Sequence, residues 1–239
     1  MAVDNSVILA GLDPDQLAVV SAINGPVCVI AGAGTGKTRV ITHRIAYAIN
    51  SGVTDPTKVL ALTFTAKAAG EMRARLRGLG IPNATARTFH SAALKQLLYF
   101  WPYAFGGQFP SLLTSKSGFI SQAISRADVA IPASAAALRE ISGEIEWAKV
   151  LEISPENYQE QAVANDRSVK LPNNKGASEN LAMIAQVYEA YESLKKQERG
   201  LDFEDVLLLC VGMLEEDRGV RERVRDQYRY FTVDEYQDV

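Results

Sequence analysis

The run Ala31-Gly32-Ala33-Gly34-Thr35-Gly36-Lys37-Thr38 constrains the fold more than any other feature of the chain. Three glycines in five positions permit a tight turn that points successive backbone N–H groups inward, a concave cradle for phosphate oxygens. The apolar run Val27-Cys28-Val29-Ile30 precedes it, and a helical pattern from Lys37 to about Asn50 follows. Strand, glycine-rich turn and helix in that order place the helix N-terminus, with its partial positive charge, at the phosphate. The strict form G-x-x-x-x-G-K-[ST] has glycine where this chain has Ala31, a change the relaxed form of the motif accepts. Lys37 is then the residue for the β- and γ-phosphates, and the Thr38 hydroxyl is a Mg²⁺ ligand.

A parallel sheet is expected around this loop. Val27–Ile30, Val59–Phe64, Thr85–Phe89 and Tyr230–Val233 are short apolar or β-prone runs, and helical patterns follow the first three. Asp13-Pro14-Asp15-Gln16 opens a helix with a cap, a first-turn proline and a capping-box partner. Thr65 caps a helix to about Leu79, and another follows the Thr85–Phe89 strand to about Tyr99. Near Trp101 the alternation breaks at Pro102, Gly106, Gly107 and Pro110. From Lys116 to about Asn165 the pattern is helical. Lys170 to Ser178 is a polar loop, Glu179 to about Gln197 a long helix, and Asp202 caps a helix through about Glu215. The expected fold is α/β, a P-loop parallel sheet interrupted by a mostly helical insertion. The core comprises 1–105 and 183–239, and the insertion 106–182.

Val233-Asp234-Glu235 supplies the second half of a nucleotide site. Carboxylates at the C-terminal end of a buried strand stand where open α/β sheets bind ligands. Asp234 suits Mg²⁺, and Glu235 suits the orientation and deprotonation of an attacking water.

The net charge of −3 excludes a uniformly basic nucleic-acid coat, but the charge is uneven. Lys67 to Lys95 holds six Lys/Arg and one acid, Glu71, whereas Arg139 to Asp166 holds seven acids and two bases. A local basic face can bind phosphate on an acidic protein. Cys28 and Cys210 both lie in apolar runs and read as buried, reduced thiols. No apolar run is long enough to span a bilayer and no signal-peptide core precedes the first helix, so a cytoplasmic protein is expected.

The ordered set Leu12-Asp13-x-x-Gln16, AGAGTGKTRV, LTFTAKAAGEMRARL, TFHSAALKQL, LDFEDVLLL and VDEYQD resembles superfamily 1 helicases of the UvrD/Rep/PcrA type. The stretches Tyr99-Phe100-Trp101 and Gly143 to Lys149 look most like the second UvrD-like paralogue of actinobacteria. The resemblance implies a RecA-like motor domain and ATP-driven, 3′→5′ movement on single-stranded DNA. Unwinding would occur at a single-strand/duplex junction, in DNA repair or replication. It implies adenine reading by Gln16, which the capping box also accounts for, and nucleotide contacts at Ala33, Gly34, Thr35, Gly36, Lys37, Thr38 and Arg39. It implies DNA contacts at Thr63, Phe64, Thr65, Phe89 and His90, although capping also explains Thr65. Gln237 resembles the glutamine that couples the γ-phosphate to the DNA side. Asp202, Phe203, Glu204 and Asp205 match a further family motif, although capping alone explains Asp202.

The family's complete proteins add a second RecA-like domain that supplies the other wall of the ATP cleft. Without it, these residues are expected to bind nucleotide weakly and hydrolyse it poorly. Three other readings remain at this point: the helicase subunit of a recombination nuclease, a nucleotide-gated single-strand-binding module that never turns over, and a generic P-loop enzyme. The last leaves LTFTAKAAGEMR and TFHS without a role.

Overall fold

The computed structural model describes residues 4–32, 34–173 and 175–238, the last without its side chain. Ala33 lies outside the described residues. The chain divides into two compact units, 1–106 with 209–239, and 107–208.

The first unit begins with helices α1 (Asn5–Leu9), α2 (Pro14–Ser21) and α3 (Lys37–Asn50). The α2 start is the expected capping box: Asp13 Oδ1 accepts from Gln16 N at 2.8 Å, and Gln16 Oε1 accepts from Asp13 N at 3.3 Å. Strand β1 (Val59–Thr63) leads through the Thr65 cap into α4 (Ala66–Gly78). Strand β2 (Thr85–Thr88) leads through the Thr88 cap into α5 (Phe89–Ala104). This helix runs five residues beyond its expected end at Tyr99. Pro102 is accommodated in its last turns, where a kink has little helix left to redirect.

The second unit opens with β3 (Ser111–Leu112) and continues through α6 (Lys116–Ala127), α7 (Ala135–Val150), α8 (Pro155–Ala164) and α9 (Ala177–Glu198). Strand β4 (Gly200–Leu201) pairs in parallel with β3, a contact too short to leave a readable pattern. The chain then enters α10 (Phe203–Glu216), within which the first unit resumes at Leu209. The core was expected to resume near 183, inside α9. The difference has a packing cause: Leu181, Ile184, Val187, Tyr188 and Tyr191 of α9 are buried with Ile120, Ile141, Ile145 and Tyr158 of the helical unit. Helix α11 (Arg218–Gln227) and β5 (Tyr230–Val233) complete the first unit.

The three long strands form a parallel sheet in the order β2-β1-β5. All five residues of β1 are buried, as a central strand covered on both faces requires. On one face Val59 and Ala61 pack with Ile8, Ile45, Met72 and Leu76. On the other, Leu60 and Leu62 pack with Tyr228, Phe89 and Val224. Register places Thr63 beside Thr88 and Leu62 beside Val233, so the three strands end level. The residues that follow, Phe64, Phe89 and Asp234, therefore leave one edge of the sheet together.

The expected buried strand at Val27–Ile30 does not form. The segment has no regular secondary structure and lies outside the sheet, and Ile30 is 98% exposed. With no ladder partner, its apolar side chains stay in solvent. The expectation that Cys28 is buried fails for the same reason, while Cys210 is buried as expected. No helix among the described residues is long and apolar enough to cross a membrane.

Candidate nucleotide and DNA site

The glycine-rich loop turns as its composition requires. Gly34 and Gly36 have φ of 80° and 84°, the left-handed region that glycine enters without strain. The Thr35 hydroxyl donates to Gly32 O at 2.9 Å, closing the turn on itself. Gly36 is the N-cap of α3, so Lys37 and Thr38 occupy its first turn. A side chain at Gly36 would also lie 3.2 Å from Gln16 Nε2.

Gln16 is wired into this loop. Its Nε2 donates to Thr35 O at 3.1 Å while its Oε1 serves the α2 capping box. The amide is thus engaged at both its oxygen and its nitrogen within the protein. Arg39 points back to the α1–α2 connection, where Nη2 donates to Ala10 O at 3.4 Å.

The two halves of the site, 198 residues apart in sequence, meet across the carboxyl edge of the sheet. Lys37 Nζ lies 3.4 Å from Glu235 Oε2, and Gln237 Nε2 donates to the same oxygen at 2.6 Å. The hydrogen bond from Gln237, followed by the charge of Lys37, holds the Glu235 carboxyl below its usual range. Glu235 also has φ of 52°, uncommon for a residue with a side chain and a form of local strain that clusters at functional positions.

Asp234 is a different carboxylate. It is 6% exposed and its Oδ1 accepts from Glu235 N at 3.1 Å. Burial, and then the neighbouring Glu235 charge, push its pKa up. A buried carboxylate whose charge is disfavoured suits a divalent cation, which would relieve both causes. Lys37, Gln16, Thr35, Asp234, Glu235 and Gln237 all line an open groove of about 1910 Å³.

The expected DNA-contacting residues separate into exposed and structural ones. Phe64 is 58% exposed at the end of β1. Thr63 is buried, and the Thr65 hydroxyl accepts from Ala68 N at 3.1 Å as the α4 cap. Phe89 packs on the Leu60–Leu62–Tyr228 cluster, and His90 is half-buried in the first turn of α5.

In the helical unit the LDFED stretch does more than cap a helix. Asp202 is buried, and both its oxygens lie 2.8 Å from Lys149 Nζ. Lys195 Nζ contacts Asp202 Oδ2 at 2.8 Å, Asp205 Oδ2 at 2.7 Å and Glu192 Oε1 at 2.9 Å. Lys149 also pairs with Asp205 and Glu192, and the Tyr191 hydroxyl donates to Asp202 Oδ2 at 2.9 Å. Three carboxylates converge here, but two ammonium groups already fill the space between them.

The profile of the UvrD/REP helicase N-terminal domain matches residues 12–239. The chain belongs to the UvrD/REP helicase family. It is 45% identical over its whole length to the ATP-dependent DNA helicase UvrD2 of Mycobacterium tuberculosis (strain ATCC 25618 / H37Rv), of which it spans 34%. It is 33% identical to the ATP-dependent DNA helicase PcrA of Leuconostoc citreum, with 95% of the chain matching 29% of that protein. The corresponding figures for PcrA of Bacillus subtilis (strain 168) are 31%, 97% and 30%. The chain therefore spans about a third of these relatives. The mixed α/β fold with its parallel sheet agrees with this family's N-terminal domain.

Proposed function

We propose that the chain is the ATP-binding portion of a DNA helicase motor, in which Mg-ATP hydrolysis drives 3′→5′ translocation on single-stranded DNA and opening of a junction. The observation that carries this is the Lys37–Glu235–Gln237 arrangement at the edge from which Phe64 also projects. Phosphate binding and a surface for a base then share one sheet edge.

Each residue takes a role that its chemistry suits. The backbone of the glycine loop, with Gly34, Thr35 and Gly36, cradles the phosphates, and Ala33 completes it in sequence. Arriving phosphates compete with Glu235 for Lys37, which frees the carboxylate to take a proton from water. Gln237, bonded to Glu235, then senses whether that carboxylate is engaged. Thr38 and Asp234 would hold a Mg²⁺ ion, which would supply neutralisation of phosphate charge. Gln16 and Arg39 would receive the adenine end. On the DNA side Phe64 stacks on a base, with Thr63 and Thr65 setting its loop, and Phe89 and His90 begin the next contact. A second RecA-like domain of the same protein would supply the opposite wall of the ATP cleft. The same reading takes the cytoplasm as its place of work.

The test is ATP turnover by the complete protein, with and without single-stranded DNA. Strong stimulation by DNA that vanishes in Lys37→Ala and in Glu235→Gln is expected. Turnover indifferent to DNA would overturn the motor reading in favour of a generic P-loop enzyme.

A further inference from the structure

Helix α5 leaves the expected DNA edge at Phe89 and presents an outer face that the nucleotide chemistry does not use. Lys95, Tyr99 and Tyr103 recur at four-residue spacing and so share that face. Tyr99 is 74% and Tyr103 70% exposed, and Leu98 beside them is exposed as well. Single exposed apolar residues are ordinary, whereas two tyrosines one turn apart on one face form a platform.

The platform is also charged in one sense. No Asp or Glu occurs anywhere between Phe89 and Ala104, although the chain has 28 acids in all. Helix α11 brings Arg223 over the Tyr103 ring, 4.9 Å from its centroid, with Nη2 at 3.4 Å from the hydroxyl. The acid nearest in sequence on that helix, Glu222, is paired with Arg218 at 2.7 Å. Exposed rings flanked by Lys95 and Arg223 have the composition of a single-strand track, in which bases stack and cations meet phosphates. Two rings one helical turn apart, about 6 Å along the axis, offer separate faces to neighbouring unstacked bases.

We infer that the outer face of α5, with Tyr99, Tyr103, Lys95 and Arg223, is a second single-stranded DNA contact. It would extend the path from the Phe64 and Phe89–His90 edge along the helix. This rests on the motor reading, since it assumes that DNA reaches the edge where α5 begins.

The test is fluorescence anisotropy with labelled oligodeoxythymidine on the 239-residue chain. Tyr99→Ala/Tyr103→Ala should weaken binding at least about twenty-fold, from roughly five-fold or more per lost stacked base. Tyr99→Phe/Tyr103→Phe, which keeps both rings, should bind like the unaltered chain. Lys95→Ala and Arg223→Ala should each lower the slope of log affinity against log salt by about 0.7. Ultraviolet crosslinking of the unaltered chain should map to Tyr99 or Tyr103, a readout that no unfolded variant can confuse. Binding lost in Phe64→Ala but unchanged in the double alanine variant would overturn this track and leave the motor reading standing. If the unaltered chain fails to bind the oligonucleotide at all, the track falls, and the motor reading is decided by DNA-stimulated turnover of the complete protein. Equal losses on blunt duplex and on single strand would also overturn the track, because stacking requires unpaired bases.

Discussion

Replacing Lys149 by methionine tests whether the buried ion cluster holds the helical unit together. The substitution keeps an unbranched stem of similar length and removes only the ammonium. Lys149 Nζ currently meets Asp202, Asp205 and Glu192. After its loss Asp202 still has Lys195 at 2.8 Å and the Tyr191 hydroxyl at 2.9 Å, and Asp205 still has Lys195 at 2.7 Å. Removing one partner from a buried pair typically costs about 3–5 kcal/mol. The retained contacts argue for the lower end, about 3 kcal/mol. For a unit of about a hundred residues, each kcal/mol shifts the midpoint by roughly 4 °C or more, so the expected fall is about 12 °C or larger. Calorimetry, with hydrogen exchange of α7 and α9 amides to assign the transition, is the assay.

The pH dependence has a definite sign. Burial raises the pKa of Asp202, but Lys149 and Lys195 outweigh it and hold the carboxyl well below its ordinary value of 3.8. Its contribution is fully present above that value and falls away in acid. Burial lowers the pKa of Lys149, but Glu192, Asp202 and Asp205 outweigh it and hold the ammonium above its ordinary 10.5. Its contribution is fully present below that value and is lost only in stronger base. The penalty in Lys149→Met should therefore be flat across neutral pH and shrink below about pH 4, where acid weakens the cluster in the parent chain as well. A midpoint shift under about 4 °C would refute the reasoning and place the cluster with surface ion pairs, worth at most about 1 kcal/mol.

Three further outcomes are expected. Asp234→Asn should raise the midpoint at neutral pH while abolishing Mg-dependent nucleotide hydrolysis. The raised pKa of Asp234 means that its stabilising form is the protonated one, and this is lost as pH rises through that pKa. A lower midpoint at pH 7 in the asparagine variant would contradict this. Gly36→Ala should lower stability by about 1–2 kcal/mol, because a side chain is forced into the left-handed region beside Gln16 Nε2. It should also weaken binding of a fluorescent ATP analogue, and unchanged affinity would show that the loop tolerates a different path. Finally, a thiol reagent at neutral pH should label Cys28, which is exposed and lines the nucleotide groove, and spare Cys210, whose thiol burial pushes up to about 11. Mass spectrometry with and without ATP reads both, and slower labelling of Cys28 with ATP is expected.

What the sequence disclosed depended on how locally each feature is encoded. The glycine loop was legible because its turn needs φ > 0 at Gly34 and Gly36, which only glycine supplies cheaply. The caps at Asp13 and Thr65 were legible because each needs only a side-chain oxygen three residues before the amide it serves. Val27–Ile30 misled because apolar composition records a preference for a strand, whereas strand formation needs a ladder partner that the composition does not name. The ion cluster was harder still, because Lys149 and Asp202 are 53 residues apart and each looks like a solvated helix residue or a cap when read alone. A sign was nonetheless present. Lys149 follows Ile141 and Ile145 at four-residue steps, and Lys195 follows Val187 and Tyr191 in the same way, and all four of these apolar residues are buried. A lysine that continues a core stripe must either break the stripe or carry a counter-charge into the core with it. Two such lysines call for acids within reach. Asp202 and Asp205 stand at one mutual spacing that lets each carboxylate accept the other's backbone N–H while still facing the ammonium groups. The LDFED motif is therefore better explained by what Lys149 and Lys195 require than by the start of a helix, which a serine would cap as well.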